Sequence, residues 1–477
     1  MTKNAAATTG DSSQMRATLK WTEAFALSMA VSGSIFASFG YALGLLGPVW
    51  ALIVWAGSAA IGACQNWIFL EVTAMFPDKP GGIAMIAVEG WRRRNRFVGP
   101  LAAFGYWMGW SSVLSIIGVS AGSLMQAQWF PNADWHFTLG ILEIGIPQLI
   151  GAALIVIFWQ INRRGVHLAA SLSKYMGALL LIPIVILSLA PIFGDGWSIH
   201  RFLDAEQHSL SGWSAVRIIL VWFFLVSWST YGTEMCAAFG PEYRTQRDMR
   251  LSLLTSGLYT VLVFAAVAFG IGGLVDQTVA AKDPFGFYIG AFNDVLGVGY
   301  SSVFVSMLLV GLFMGLNAAL ADGSRALYGM AIEGITIKQL GTLNKHQVPG
   351  RCMTVAVVLN LLMIVVSASP IAILVTANLG YLLAIFFALT GFLWLRKDLP
   401  DHQRPVRLGK GWIPLAWVLS LFTGIVIMVG ATSADIAGYG GAKEVLTGIG
   451  ILFLSLLLYA YRYLVQDKQK ASISGTV

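Results

Sequence analysis

The chain has 477 residues, of which 57% are hydrophobic and only 11% are Asp, Glu, Lys or Arg, against about 25% charged in an ordinary soluble domain. That composition excludes a water-soluble globule, and it equally excludes a disordered chain, which needs low hydrophobicity. Three cysteines exclude a disulfide scaffold, and the net charge of +7 is spread between apolar runs rather than gathered in a basic patch, so no nucleic-acid partner is expected.

The class is an all-α integral membrane protein. A helix crossing the hydrocarbon core needs about 20 mostly apolar residues, since each adds about 1.5 Å and an unpaired backbone group in lipid is costly. In chain order, residues 1–20 read as a polar cytoplasmic tail without a signal peptide. Spans are expected near 22–46, 48–76, 97–127, 138–160, 169–192, 213–240, 251–275, 300–331, 352–368, 371–395, 413–433 and 445–465, and 466–477 forms a second tail. Residues 21–465 therefore make one twelve-helix domain.

With the amino terminus inside, 26 of the 30 Lys and Arg residues fall on the cytoplasmic side, and only Arg201, Arg217, Lys282 and Lys443 fall on the other. The positive-inside rule predicts such a split, so both termini are expected in the cytoplasm and the protein in the cytoplasmic (inner) membrane, with lipid as its surroundings. Cys64, Cys236 and Cys352 lie within spans or at their cytoplasmic ends, which leaves no disulfide-linked partner subunit to expect.

Two spans carry glycine and small polar residues near mid-depth. The first reads Ser32-Gly33-Ser34-Ile35-Phe36-Ala37-Ser38-Phe39-Gly40, and the sixth reads Trp228-Ser229-Thr230-Tyr231-Gly232-Thr233-Glu234. Glycine-interrupted spans at corresponding places in two halves point to a transporter built from inverted repeats, whose broken helices offer free backbone groups and partial charge to a ligand. Close helix packing through the glycines is the competing explanation.

These residues resemble the amino acid–polyamine–organocation transporters, with the LeuT-type fold. The likeness rests on Val31-Ser32-Gly33-Ser34-Ile35, on Glu71 with Pro77 and Pro80-Gly81-Gly82, and on Trp228 to Glu234 continuing through Gly240-Pro241-Glu242. It rests further on Gly323-Ser324-Arg325 with Ala331-Ile332-Glu333-Gly334, and on Arg396-Lys397 with Arg404-Pro405. The resemblance implies ten core helices in a five-plus-five inverted repeat, the first over about 22–192 and the second over about 213–395. Two peripheral helices over about 413–465 complete it, with a central site between helices 1, 3, 6, 8 and 10 worked by alternating access.

By the same resemblance, Ser34, Ile35, Ala37 and Ser38 line the first broken segment. Trp228, Ser229, Tyr231 and Gly232 line the sixth, whose Trp-Ser-x-x-Gly-x-Glu run matches that of an arginine/agmatine antiporter in the family. Trp228 would cover the substrate. Glu234, a carboxylate inside a span, would carry a coupling proton; pairing with a basic loop residue is the alternative. Ala37 and Phe39 stand where the family has glycine, which leaves open a substrate lacking an α-carboxylate.

Further candidates are Asp322, either drawn to an amine or paired with Arg325 three residues on, and Asn317, either a ligand contact or glue between helices, as are Asn360 and Asn378. Lys174 could stand in for a coupling sodium ion or simply decorate the cytoplasmic side. No phosphate-binding Gly-x-x-x-x-Gly-Lys-Ser/Thr loop or metal-ligand spacing occurs, and serines within spans such as Ser111, Ser112 and Ser115 have no histidine at comparable depth, so neither an enzyme nor a cofactor is expected. The reading is a secondary active transporter that imports an amino acid or related small amine, with proton symport as its energetics. A polyamine, choline-like or γ-amino acid permease, or an exchanger, is the alternative.

Overall fold

The computed structural model describes residues 17–468 apart from 140–141, 194–195, 204–211, 285, 298, 367–369 and 438–440; most of both expected tails lies outside the described residues. Among the described residues, ten helices are long and apolar enough to cross a membrane: Trp21–Leu46, Pro48–Met75, Val98–Trp129, Val166–Ile192, Gly212–Glu242, Gln246–Leu274, Ser302–Ile332, Ile373–Asp398, Trp412–Ile436 and Ala442–Gln466. Two apolar helices of 17 residues, Ile146–Asn162 and Gly350–Val366, stand where the fourth and ninth spans were expected. Seventeen residues reach about 25 Å, short of the roughly 30 Å hydrocarbon core. Helices are numbered below by the expected span they occupy.

Local chemistry sets the helix ends. Gly47, at φ 77°, turns the chain so that Pro48 opens the second helix, where its missing N–H costs nothing. The Thr245 hydroxyl accepts from the Asp248 N–H at 3.1 Å and caps the seventh. Gly81 and Gly82, at φ 107° and 52°, make a turn that ordinary residues resist, and it sends the chain into a helix the sequence reading did not place, Gly82–Trp91. The fourth helix begins at Ile146 rather than near 138, because residues 136–139 and 142–145 pair as a short antiparallel hairpin.

Segments assigned to one side of the membrane meet one another. Lys79 Nζ bonds Glu89 at 2.7 Å and Glu333 at 2.9 Å, while Arg92 reaches the same two carboxylates at 2.5 Å each. Leu19 is held to the end of the sixth helix and the residues just beyond it by backbone bonds to Glu242 at 2.7 Å and Arg244 at 3.0 Å. At the other end, Arg201 donates to the carbonyls of Gly196, Gly273 and Leu274.

Helices inside lipid gain little from hiding apolar surface and associate by close packing instead. A Cβ added to Gly33 of the first helix would lie 2.6 Å from the Gly311 carbonyl oxygen of the eighth, and one added to Gly105 of the third would lie 2.4 Å from that of Gly380 in the tenth. These backbones touch. Gly105→Ala must therefore push the third and tenth helices apart, at about 1–3 kcal/mol, and should lower the melting temperature of the detergent-purified protein. Gly57→Ala, whose new methyl would sit an ordinary 3.5 Å from Phe223, should not. Equal melting temperatures for the two variants would contradict the contact.

Candidate functional site

The sixth helix changes character where its sequence was unusual. It is α-helical from Gly212 to Thr230, turns at Tyr231, and continues as a 3-10 helix from Gly232 to Glu242. Gly232 leaves room there for Val31 and the Trp110 ring, which lie 3.0 and 3.6 Å from where a Cβ would stand. The first helix departs from expectation. It is interrupted at Met29 and Ser34, but both keep right-handed backbone, and the N–H groups of Ser32, Ser34 and Ala37 bond the carbonyls three residues back at 3.1, 3.1 and 3.0 Å. Those donors are engaged within the helix and not open to a ligand. The serine hydroxyls tighten the same turns, Ser32 bonding Met29 O at 2.6 Å and Ser34 bonding Val31 O.

A cavity of about 20 Å³ lies where the first, third, sixth and eighth helices meet, room for one water molecule. Ser34, Trp110, Trp228, Ser229 and Ala318 face it, and Val113 and Ile117 complete an apolar wall. The Ser34 and Ser229 hydroxyls bond each other across it, and the Trp228 indole N–H has no partner among the described residues.

Of the residues anticipated from sequence, Ser34, Trp228 and Ser229 thus come together. Ile35, Ala37, Ser38, Tyr231 and Gly232 are buried but do not line the cavity. The Ile35 carbonyl accepts from Tyr288 at 3.4 Å, and Tyr231 packs onto the second helix at Gly62. Phe39 turns to Trp55, with ring centroids 6.2 Å apart, so neither Ala37 nor Phe39 takes room from the cavity.

Glu234 is fully buried beside this cavity. Its Oε1 accepts from the Trp110 indole N–H at 3.1 Å and the Tyr381 hydroxyl at 2.7 Å, and its Oε2 has no hydrogen-bond partner among the described residues. The alternative of a basic loop partner is not what the structure shows. The basic residue belongs to Glu242: Arg325 donates to it through Nε and through Nη2, the latter at 2.9 Å, gives Nη1 to Ala321 O at 2.6 Å, and lies over the Phe239 ring at 4.8 Å.

The anticipated pairing of Asp322 with Arg325 therefore does not form, because Glu242 meets the guanidinium fork with both oxygens. Neither oxygen of Asp322 has a hydrogen-bond partner among the described residues. Asn317 is glue, donating to Ala169 O and Ser173 Oγ and accepting from Asn162. Asn360 bonds Ser111 and Asn378 bonds Ser227. Lys174 is exposed on the fifth helix, away from the cavity.

Sequence reading missed Tyr106, Trp110 and Tyr381. A signal existed: Gly105-Tyr106 and Gly380-Tyr381 repeat one pair in two spans. The glycines are the point of backbone contact between the third and tenth helices, and the tyrosine rings that follow stand 6.0 Å apart. Two motifs noted separately also meet, since Glu71 receives Arg396 at 2.5 Å, Arg404 at 3.1 Å and the Leu408 N–H at 2.8 Å.

A sequence model of the family described as "Amino acid permease" matches residues 19–455. The chain belongs to this family of amino acid–polyamine–organocation transporters. It is similar to Amino-acid permease RocE of Bacillus subtilis (strain 168), with 24% identity over 350 residues that cover 70% of each chain. It is likewise similar to Branched-chain amino acid permease BcaP of Lactococcus lactis subsp. cremoris (strain MG1363), with 26% identity over 334 residues, covering 63% of this chain and 67% of that one.

The buried Arg325–Glu242 bridge ties the eighth helix of the permease to the end of the sixth. Arg325→Met would leave Glu242 buried without its partner, at about 3–5 kcal/mol. The melting temperature should fall sharply and recover in large part when Glu242→Leu is added. A double variant no more stable than the single would contradict the bridge as drawn.

Proposed function

We propose that the permease imports an amino acid or related small amine across the cytoplasmic membrane by proton symport, with both termini in the cytoplasm. One observation carries this reading: Trp110 lines the cavity with its ring and donates its N–H to Glu234. A substrate that displaces the ring disturbs the carboxylate, and a change of charge on the carboxylate pulls on the ring. Cavity and proton carrier are linked through one side chain.

The cavity chemistry fits the proposed cargo. Ser34 and Ser229, now bonded to each other, can exchange that bond for polar groups of a ligand. The aromatic face of Trp228 attracts an ammonium group by about 0.5–2 kcal/mol, and Val113, Ile117 and Ala318 supply an apolar wall against an aliphatic side chain. A relative named for branched-chain amino acids agrees with such a wall. At about 20 Å³ the cavity is closed to any amino acid, so helices must move to admit one. We assign that movement to two repeats, about 22–192 and 213–395, rocking about the site while the helices near 413–465 stay at the periphery.

The test is leucine uptake into proteoliposomes. An inward proton gradient should drive accumulation, external acidification should raise the rate, and an uncoupler should collapse the gradient of leucine. Glu234→Gln should remove the dependence on pH. Accumulation that persists with the uncoupler, or that requires internal amino acid instead of a proton gradient, would overturn symport.

A further inference from the structure

Asp322 lies one helical turn beyond the cavity-lining Ala318, on the same face of the eighth helix, and its surroundings are unusual. It is fully buried, yet among the described residues both its oxygens lack a hydrogen-bond partner of full geometry, as does Oε2 of Glu234. The two carboxylates are near enough to sense each other's charge. The Tyr106 hydroxyl from the third helix, also fully buried, faces both within reach of a hydrogen bond, though it makes none of full geometry among the described residues.

The other titratable groups around the pair are neutral or already engaged. Tyr381 of the tenth helix donates to Glu234, and Tyr231 and Cys236 of the sixth are buried nearby. The cation in range, Arg325, is held by Glu242 and the Ala321 carbonyl. Two neighbouring carboxylates with no free cation among the described residues cannot both stay ionised away from water, because an unanswered buried charge costs several kcal/mol. Glu234 already accepts two well-formed hydrogen bonds, whereas Asp322 has only the Tyr106 hydroxyl within reach.

We propose that Asp322 and Glu234 form a single two-carboxylate proton site, in which Asp322 holds the proton while the bundle is closed and Tyr106 bridges the pair. This rests on the proposed symport for its role in transport, but its existence does not. A proton from water on one side adds to a carboxylate oxygen of the pair and makes an O–H bond. When the path opens to the opposite side, that bond breaks, the proton passes to water there, and the carboxylate is left hydrated. One proton moves per cycle, so a gradient of one pH unit should sustain about tenfold accumulation of a neutral amino acid.

The test is the infrared C=O absorption of protonated carboxyl groups in the full-length protein in lipid nanodiscs at pH 7. Wild type minus Asp322→Asn should show a positive carboxylic-acid band, and Asp322→Ser should give the same difference if the first variant folds poorly. No band in either difference spectrum would overturn the proposal. So would a melting temperature that rises with sodium but not with choline chloride in wild type and not in Asp322→Asn, since the pair would then hold a metal cation. A band accompanied by uptake indifferent to pH would uphold the proton site and refute symport. Proton-driven uptake without the band would refute the role of Asp322 alone.

Discussion

An ionised side chain inside hydrocarbon must be answered by an opposite charge, reached by water, or neutralised. The permease obeys this rule differently at its ends and at its centre. Toward the side carrying most of the basic residues, Glu71 is answered by Arg396 and Arg404, Glu242 by Arg325, and Glu89 and Glu333 by Lys79 and Arg92. At the centre no cation answers either acid among the described residues: Glu234 accepts from Trp110 and Tyr381, and Asp322 has no hydrogen-bond partner there. The paired acids hold helices together; the unpaired ones are left with a capacity that a purely structural residue would not need.

Close backbone approach makes this arrangement possible. The contact of Gly105 with Gly380 brings the third and tenth helices together at the point where Tyr106 and Tyr381 project. The contact of Gly33 with Gly311 does the same for the first and eighth helices near the cavity. Larger residues at either place would separate the helices that supply the lining. The same small contacts suit helices that slide or rock, because they hold by shape rather than by interlocking side chains.

Much of this was legible in the sequence, for physical reasons. Apolar runs of membrane-spanning length announce themselves, and a glutamate within one draws notice at once, as Glu234 did. The glycine at 232 marked a real change from α to 3-10 helix. Partners across helices were not legible. Asp322 and Arg325 looked paired because spacing along one helix is all that a sequence displays, whereas the guanidinium found a two-oxygen partner in Glu242 on another helix. Trp110 and Tyr381 were passed over because an aromatic in a greasy span looks like packing until its polar atom is seen to point at a carboxylate. The first helix was read as open because its glycine and serines break helices in isolation; here the serines bond back to their own turns.

The central claim is that the cavity between Ser34 and Trp228 receives an amino acid. Its most direct test is the melting temperature of the purified protein across a panel of α-amino acids, polyamines and quaternary amines, in wild type and Trp228→Ala, since a ligand that binds only the folded state stabilises it by mass action. The account predicts that α-amino acids, aliphatic ones foremost, raise the melting temperature of the wild type, and that Trp228→Ala folds but needs higher concentrations for the same shift. A shift only with amines lacking an α-carboxylate, or an undiminished response in Trp228→Ala, would contradict it.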